Sequence, residues 1–320
     1  MLKTLEKSVT TSAFEASEPS PNSLEIQVGN TPLLRLENIE RHAGLASGVS
    51  LYGKAEWFNP SGSVKDRAAL NIIRTAEWSG KLCRGMTLLD STSGNMGIAY
   101  AMLGVSRGYH VKLTVPANAS PERIAILRAY GAELILTDPL EGSDGAIEKA
   151  RHLAAQDPDA FYANQYNNPA NWQAHYHTTA NEIWKQTDGN VTHFIAGLGT
   201  SGTFVGTTLR LKERNAQIEA IAMQPDSPFN GLEGLKHMPT AIQPGIYDAS
   251  LPDAIRAVRT EDAYDMARRL ARLEGLLVGI SAAAAVVASV NVARDLRDGV
   301  VVTILPDNGL KYLSERFWRE

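Results

Sequence analysis

Apolar positions along this chain fall into two periodicities that alternate. Short, almost wholly apolar runs read as strands buried on both faces: "VSLYGKAEWF", "MTLLD", "HVKLTVP", "ELILTD", "VTHFIAGL", "IEAIAMQP" and "VVVTILPD". Between them, apolar residues recur at helical spacing. "RAALNIIRTAEW" sets Ala69, Ile73 and Ala76 on one stripe, and "MGIAYAMLGVSRG" ends at a glycine. "SPERIAILRAYGA" opens with Ser120 as a cap and Pro121 at the first helical position, and "SDGAIEKARHLAAQ" is a further helix. Alternating strands and helices predict an open α/β layout with a mostly parallel sheet. In such sheets ligands sit at the carboxyl ends of the strands, so the loops there are the candidates for chemistry. The longest stretch rich in Pro and Gly, "PDSPFNGLEGLKHMPTAIQPGIYDASLPD", is a loop of a length usually kept for function.

Composition narrows the classes. The 320 residues are 44% hydrophobic and 21% charged, with a net charge of −4. That is an ordinary soluble composition, long enough for one large or two ordinary domains. With no long basic run, nucleic acid and anionic membrane are not the expected partners. The Ala-rich "VGISAAAAVVASVNVA" is too short and weak to span a bilayer. The polar, Ser-rich start has no apolar core of a secretory signal, so a cytoplasmic enzyme is expected. The single Cys83 excludes an intrachain disulfide, and no His or Asp beside it marks it as a nucleophile. His175 and His177, two apart, do not share a helix face and have no evident third ligand, so no metal is expected.

Three loops carry the chemistry. "NPSGSVKDR" places Lys65 in a Gly/Ser turn at the start of a helix, with Ser63 as the expected N-cap and Asp66 completing an acidic capping box. The helix dipole disfavours a cation there, which suits a lysine that works as a neutral amine. "STSGN", residues 91 to 95, offers hydroxyls and backbone N–H groups at a helix N-terminus and suits a carboxylate. "GLGTSGT", residues 197 to 203, converges backbone N–H groups and hydroxyls on a phosphate. It lacks the lysine of a Walker loop and the glycine spacing of a dinucleotide fingerprint. An imine-forming lysine, a carboxylate nest and a phosphate cradle together are what pyridoxal phosphate chemistry on an amino acid requires.

In this order, "NPSGSVKDR", "TSGN", "GTSGT" and a late "GIS" resemble the β-family of pyridoxal phosphate enzymes. Within it the chain resembles the cysteine synthases, above all the B-type O-acetylserine sulfhydrylases. "VGNTPLLRL", "RAYGAELIL", "QYNNPANW", "PGIYDASL" and "KYLS" extend the match over roughly residues 24 to 315. The resemblance implies two open, mostly parallel twisted sheets flanked by helices, the fold type II arrangement. It implies an N-terminal arm over 1–23, a larger cofactor-binding domain over 24–51 and 169–320, and a smaller mobile domain over 52–168. Lys65 would carry the cofactor as an internal aldimine and act as acid and base at Cα. Asn95 would bond the cofactor's 3-oxygen, and Gly199, Thr200, Ser201, Gly202 and Thr203 its phosphate. Thr92, Ser93, Asn95 and Gln165 would receive the substrate carboxylate. Ser281 would face the pyridine nitrogen, and it also reads as an N-cap for "AAAAVVASVNVA". The implied reaction replaces the β-substituent of O-acetylserine by sulfide through an aminoacrylate, giving L-cysteine, in a homodimer.

Several positions depart from the pattern. Met96 stands where a threonine is usual, beside the substrate carboxylate. "GISAAAA" replaces a Ser/Thr-Gly sequence, and Asp307 in "LPDNG" runs near the cofactor edge. Lys236, in the long loop, reads either as a solvated lysine or as the reader of a phosphate leaving group. An O-phosphoserine sulfhydrylase, a cystathionine β-synthase-like enzyme and a β-replacement with another nucleophile therefore stay open. So does a catalytically silent binding protein on the same fold, against which intact Lys65, Asn95 and phosphate loop argue.

Overall fold

The computed structural model describes residues 23–318. The polar segment expected as an arm lies, over 1–22, outside the described residues. The strands are β1 (Leu33–Arg35), β2 (Gly48–Ala55), β3 (Thr87–Ser91), β4 (His110–Pro116), β5 (Glu133–Thr137), β6 (Ala160–Tyr162), β7 (His193–Gly197), β8 (Glu219–Pro225), β9 (Ala254–Val258) and β10 (Asp298–Leu305). The helices are α1 (Glu37–Ala43), α2 (Lys65–Trp78), α3 (Asn95–Arg107), α4 (Pro121–Ala129), α5 (Gly142–Gln156), α6 (Pro169–His177), α7 (Thr179–Gln186), α8 (Gly202–Arg214), α9 (Thr260–Arg269) and α10 (Ile280–Ala293).

Two sheets form. One has the order β1-β2-β10-β7-β8-β9, the other β5-β4-β3-β6. Every pairing is parallel except β1 against β2. An early and a late strand meet in the larger sheet, where β2 and β10 pair from Gly48 with Asp298 to Ala55 with Leu305. β2 thus belongs to this sheet through Ala55, past the division expected at residue 51.

Strand alternation sorts the larger core into two layers. Ile195, Val301 and Leu305 face α1, α9 and α10, whereas Phe194, Ala196, Val302 and Ile304 face α7 and α8. The Ala-rich segment singled out as too weak for a membrane is α10, buried nearly all round against this sheet. No helix of the described residues is long and apolar enough to cross a membrane. The smaller sheet packs its core on α2 and α3.

A buried ionic network fixes the start of α2. Arg67 donates to Glu56 at 2.7 Å and to Glu182 at 2.6 Å, and Lys54 pairs with Glu182 at 2.6 Å. Lys54, Glu56 and Arg67 are all buried, so each charge needs its partner. β2, α2 and α7 are thereby held together next to Lys65.

Candidate active site

The carboxyl ends of β3, β7 and β10 open on one cavity of about 560 Å³ between the sheets. It is lined by Lys65, Thr92, Ser93, Asn95, Met96, Gln165, Gly199, Thr200, Ser201, Thr203, Lys236 and Ser281. The structure thus brings together residues that are more than 200 positions apart in sequence. Of the expected site residues, Gly202 stands just behind the wall, at the start of α8.

Lys65 is the first residue of α2. Ser63 is not the N-cap expected from the sequence: Val64 holds that position, and Ser63 Oγ accepts from the Lys65 N–H at 3.3 Å. Asp66 does not close a capping box on Ser63. Its carboxylate turns back to the Ser61 N–H at 2.7 Å and to the Ser61 hydroxyl, because the glycine at 62 folds the turn over it. Among the described residues no group hydrogen-bonds or pairs with Lys65 Nζ. Burial lowers its pKa from 10.5 to about 8, against the opposing field of Asp307. An amine so placed is deprotonated with little cost and free to bond a ligand.

The loop after β3 is built to present donors. Thr92 Oγ1 accepts from the Gly94 and Gly97 N–H groups, at 2.9 and 3.0 Å, which leaves its own proton to give. Gln165 is anchored to the Ser91 carbonyl at 2.6 Å. Behind the loop lies Asp90, wholly buried, whose pKa is pushed up to about 7 by that burial. Met96 is buried, forming cavity wall and small-sheet core at once.

The loop after β7 is a tight cradle. A Cβ on Gly199 would lie 2.2 Å from the Gly234 carbonyl oxygen, and one on Gly202 would lie 2.0 Å from Asn171 Oδ1. Ser201 holds φ +67°, a left-handed conformation that turns the chain into α8. Thr203 Oγ1 is 3.2 Å from His175 Nε2. Burial, with Arg67 and Lys65 nearby, keeps that histidine neutral. His175 is thus a support of the cradle, and among the described residues no His/Cys/Asp/Glu cluster suited to a metal occurs.

Ser281 stands in the first turn of α10, which starts two residues earlier than expected. Gly279 and not Ser281 is its N-cap, because Gly279 is the last residue with extended backbone. Asp307 is fully buried, and its Oδ2 accepts from Asn95 Nδ2 and from the Tyr312 hydroxyl, each at 2.8 Å. Lys236 is not a solvated loop lysine. It is buried, paired with Asp144 and 5.2 Å from the ring centre of Tyr166. Its loop, residues 226–253, straps over the cavity.

Sequence reasoning missed Arg123, Asp144, Glu233 and Lys311. Arg123 is buried in the first turn of α4, pairs with Glu233 of the strap and donates to the Ser93 carbonyl at 3.3 Å. The one sequence signal was its place in a helix's first turn, where the dipole disfavours a cation. Lys311 donates to Asn95 Oδ1 at 2.8 Å and lies in a segment without periodicity that would have flagged it.

The donor set fits pyridoxal phosphate: a free, depressed-pKa lysine, a cradle that leaves no room for Cβ atoms, and a hydroxyl loop for a carboxylate. Comparison with known proteins agrees. Residues 24–307 match the model of a family described as pyridoxal-phosphate dependent enzyme, and the chain belongs to that family. Within it, the chain is 49% identical to a cysteine synthase of Aquifex aeolicus over 90% of this chain and 89% of the relative. Its fold superposes on a cysteine synthase structure from Entamoeba histolytica with a TM-score of 0.88, at 36% identity, covering 97% and 94% of the two chains. An O-acetylserine-dependent cystathionine β-synthase from Helicobacter pylori gives 0.87 at 34% identity, covering 93% and 99%.

Proposed function

We propose that this chain replaces the acetoxy group of O-acetyl-L-serine by sulfide to give L-cysteine, as a cytoplasmic homodimer. The observation that carries this reading is Lys65: an unpaired amine of lowered pKa, facing a cavity that also holds the phosphate cradle and the hydroxyl loop. The cysteine synthases among its relatives supply the substrate class.

Bound pyridoxal phosphate supplies an electron sink for the electrons of the Cα–H bond while the β-substituent leaves. The residues do the rest. Gly199, Thr200, Ser201, Gly202 and Thr203 would hold the phosphate, Ser281 would meet the ring nitrogen and Asn95 the 3-oxygen. Thr92, Ser93, Asn95 and Gln165 orient the substrate carboxylate, with Met96 closing the wall beside them. Lys65 removes the Cα proton and returns it after the nucleophile has added to Cβ. The smaller sheet and its helices, the expected 52–168 unit without residues 52–55 that stay in β2 of the larger sheet, move against the rest and keep water out.

Lys236 lines the cavity, and its charge is already met by Asp144. It therefore adds no net positive charge for a phosphate leaving group, which favours the acetyl donor. The test is turnover of the cofactor-loaded protein with sulfide and, separately, O-acetylserine, O-phosphoserine and serine, measured as cysteine formed. Cysteine from O-acetylserine, lost in Lys65→Ala, is expected. A coloured protein that makes no cysteine from any donor would sink the sulfide reading and leave a different nucleophile. A protein that never binds the cofactor would leave only a binding role.

A further inference from the structure

The side-chain amide of Asn95 is gripped from both ends. Its Nδ2 donates to Asp307 Oδ2 at 2.8 Å, and its Oδ1 accepts from Lys311 Nζ at 2.8 Å. Asp307 is fully buried, and Lys311 is 7% exposed. A carboxylate only accepts and an ammonium only donates. Turning the amide over would set its carbonyl against the carboxylate and its NH2 against the ammonium. In a buried setting neither clash is relieved by water. One orientation remains, and in it the second N–H of Nδ2 is not used by the protein.

The clamp is itself held. The Tyr312 hydroxyl donates to Asp307 Oδ2 at 2.8 Å, and a Cβ on Gly279 would lie 2.0 Å from Asp307 Oδ1. Lys311 Nζ also donates to the Ser61 and Gly62 carbonyls, each at 3.2 Å. The Val64 N–H donates to the Pro306 carbonyl at 2.8 Å. The segment from Pro306 to Tyr312 therefore fixes both Asn95 and the turn that carries Lys65.

We propose that Asp307 and Lys311 are positioning residues that lock Asn95 with an N–H, and not its C=O, presented to the cofactor's 3-oxygen. This rests on the reading of Asn95 as the partner of that oxygen. Either clamp alone still disfavours the flipped amide, so the two act redundantly. A merely structural salt link would instead weaken every ligand alike.

The test measures the dissociation constants of the apoprotein for pyridoxal phosphate and for 3-deoxypyridoxal 5′-phosphate, which lacks only the oxygen in question. A hydrogen bond to that oxygen predicts a preference of roughly tenfold for pyridoxal phosphate in the native protein. Asn95→Ala removes the preference. Asp307→Asn and Lys311→Met singly keep most of it, and Lys311→Arg keeps all of it. Combining Asp307→Asn with Lys311→Met removes the clamp's two opposite charges together and lets the amide turn, so the preference falls to about half its native value, the cost of selecting one of two orientations. Unchanged affinity for the 3-deoxy compound shows that a variant is folded. If that double variant does not fold, Asp307→Asn with Lys311→Gln carries the same expectation, since every amide in it can turn. A double variant that keeps the native preference, while Asn95→Ala loses it, overturns the lock. Preference retained in Asn95→Ala overturns the underlying reading of Asn95 instead.

Discussion

Lys65 and Ser201 show how single residues are held in costly states for use. The lysine's pKa is lowered to about 8, so protonating it costs the folded protein. For a base with a depressed folded value, that cost is fully present below about pH 8 and fades as pH rises to the unfolded value near 10.5. The Lys65→Met apoprotein is accordingly expected to melt higher than the native apoprotein at pH 7, with the gap closing between pH 8 and 10.5. A gap that does not change with pH would show that the amine is not desolvated. Ser201 sits at φ +67°, where a non-glycine residue costs about 1 kcal/mol. Ser201→Gly is expected to stabilise the apoprotein by about that amount while weakening cofactor binding through loss of a hydroxyl and of rigidity, read by thermal melting and cofactor titration. The motif residues were legible because their types are unusual for their places: a lysine in a helix's first turn, hydroxyls and glycines at strand ends. Asp144 and Lys311 were not, since an isolated charged residue in one sequence gives no sign that the fold will bury it, and Arg123 shared the first-turn signal of Lys65 without the Gly/Ser turn that singled the lysine out.

The long, strongly periodic elements were legible, and the short ones were not. β1 and β6 have three residues each, too few to show alternation. β9 has four of its five residues only partly covered or exposed, so its pattern lacks the apolar run expected of a buried strand. α6 and α7 are divided by Thr178 alone, and α6 has almost no apolar face. Its packing depends on a contact that sequence patterning does not reveal: a Cβ on Gly206 of α8 would lie 1.9 Å from the Trp172 carbonyl oxygen of α6. The two helix backbones touch there. Gly206→Ala is expected to force them apart, at a cost of about 2 kcal/mol or more, and to weaken cofactor binding because α8 carries the cradle at its start. Chemical denaturation and cofactor titration check both parts. Normal stability would mean that α8 shifts freely.

Across the whole molecule, the strap of residues 226–253 reaches from the larger sheet to helices of the smaller one. Glu233 meets Arg123 on α4, and Lys236 meets Asp144 on α5. Asp144 also accepts from the Ile242 N–H at 2.9 Å. These pairs cross the cavity, so they couple its shape to its charge. Asp144→Asn frees the Lys236 ammonium on the cavity wall. The expected result is a higher ratio of O-phosphoserine to O-acetylserine turnover than in the native protein, by about tenfold, the gain of one charge-assisted hydrogen bond. An unchanged ratio would place Lys236 away from the leaving group. The alternation of strands and helices foretold the layers and the strand-end loops. The bridging strap was visible only as a long Pro- and Gly-rich stretch, because the pairing of charges across a cavity leaves no periodic trace.

β10, the last strand of the described residues, lies between β2 and β7 rather than at an edge. That placement sets an order of events on the ribosome. The smaller sheet spans residues 87 to 162 and can be completed while translation continues. The larger sheet stays split, β2 without its neighbour, until β10 has been made. Lys65 and the glycine cradle therefore emerge long before they can face each other. A transcript cut short before β10 yields a chain that keeps Lys65, the hydroxyl loop, the glycine cradle and Ser281 but lacks Asp307 and Lys311, with no continuous sheet to hold them in register.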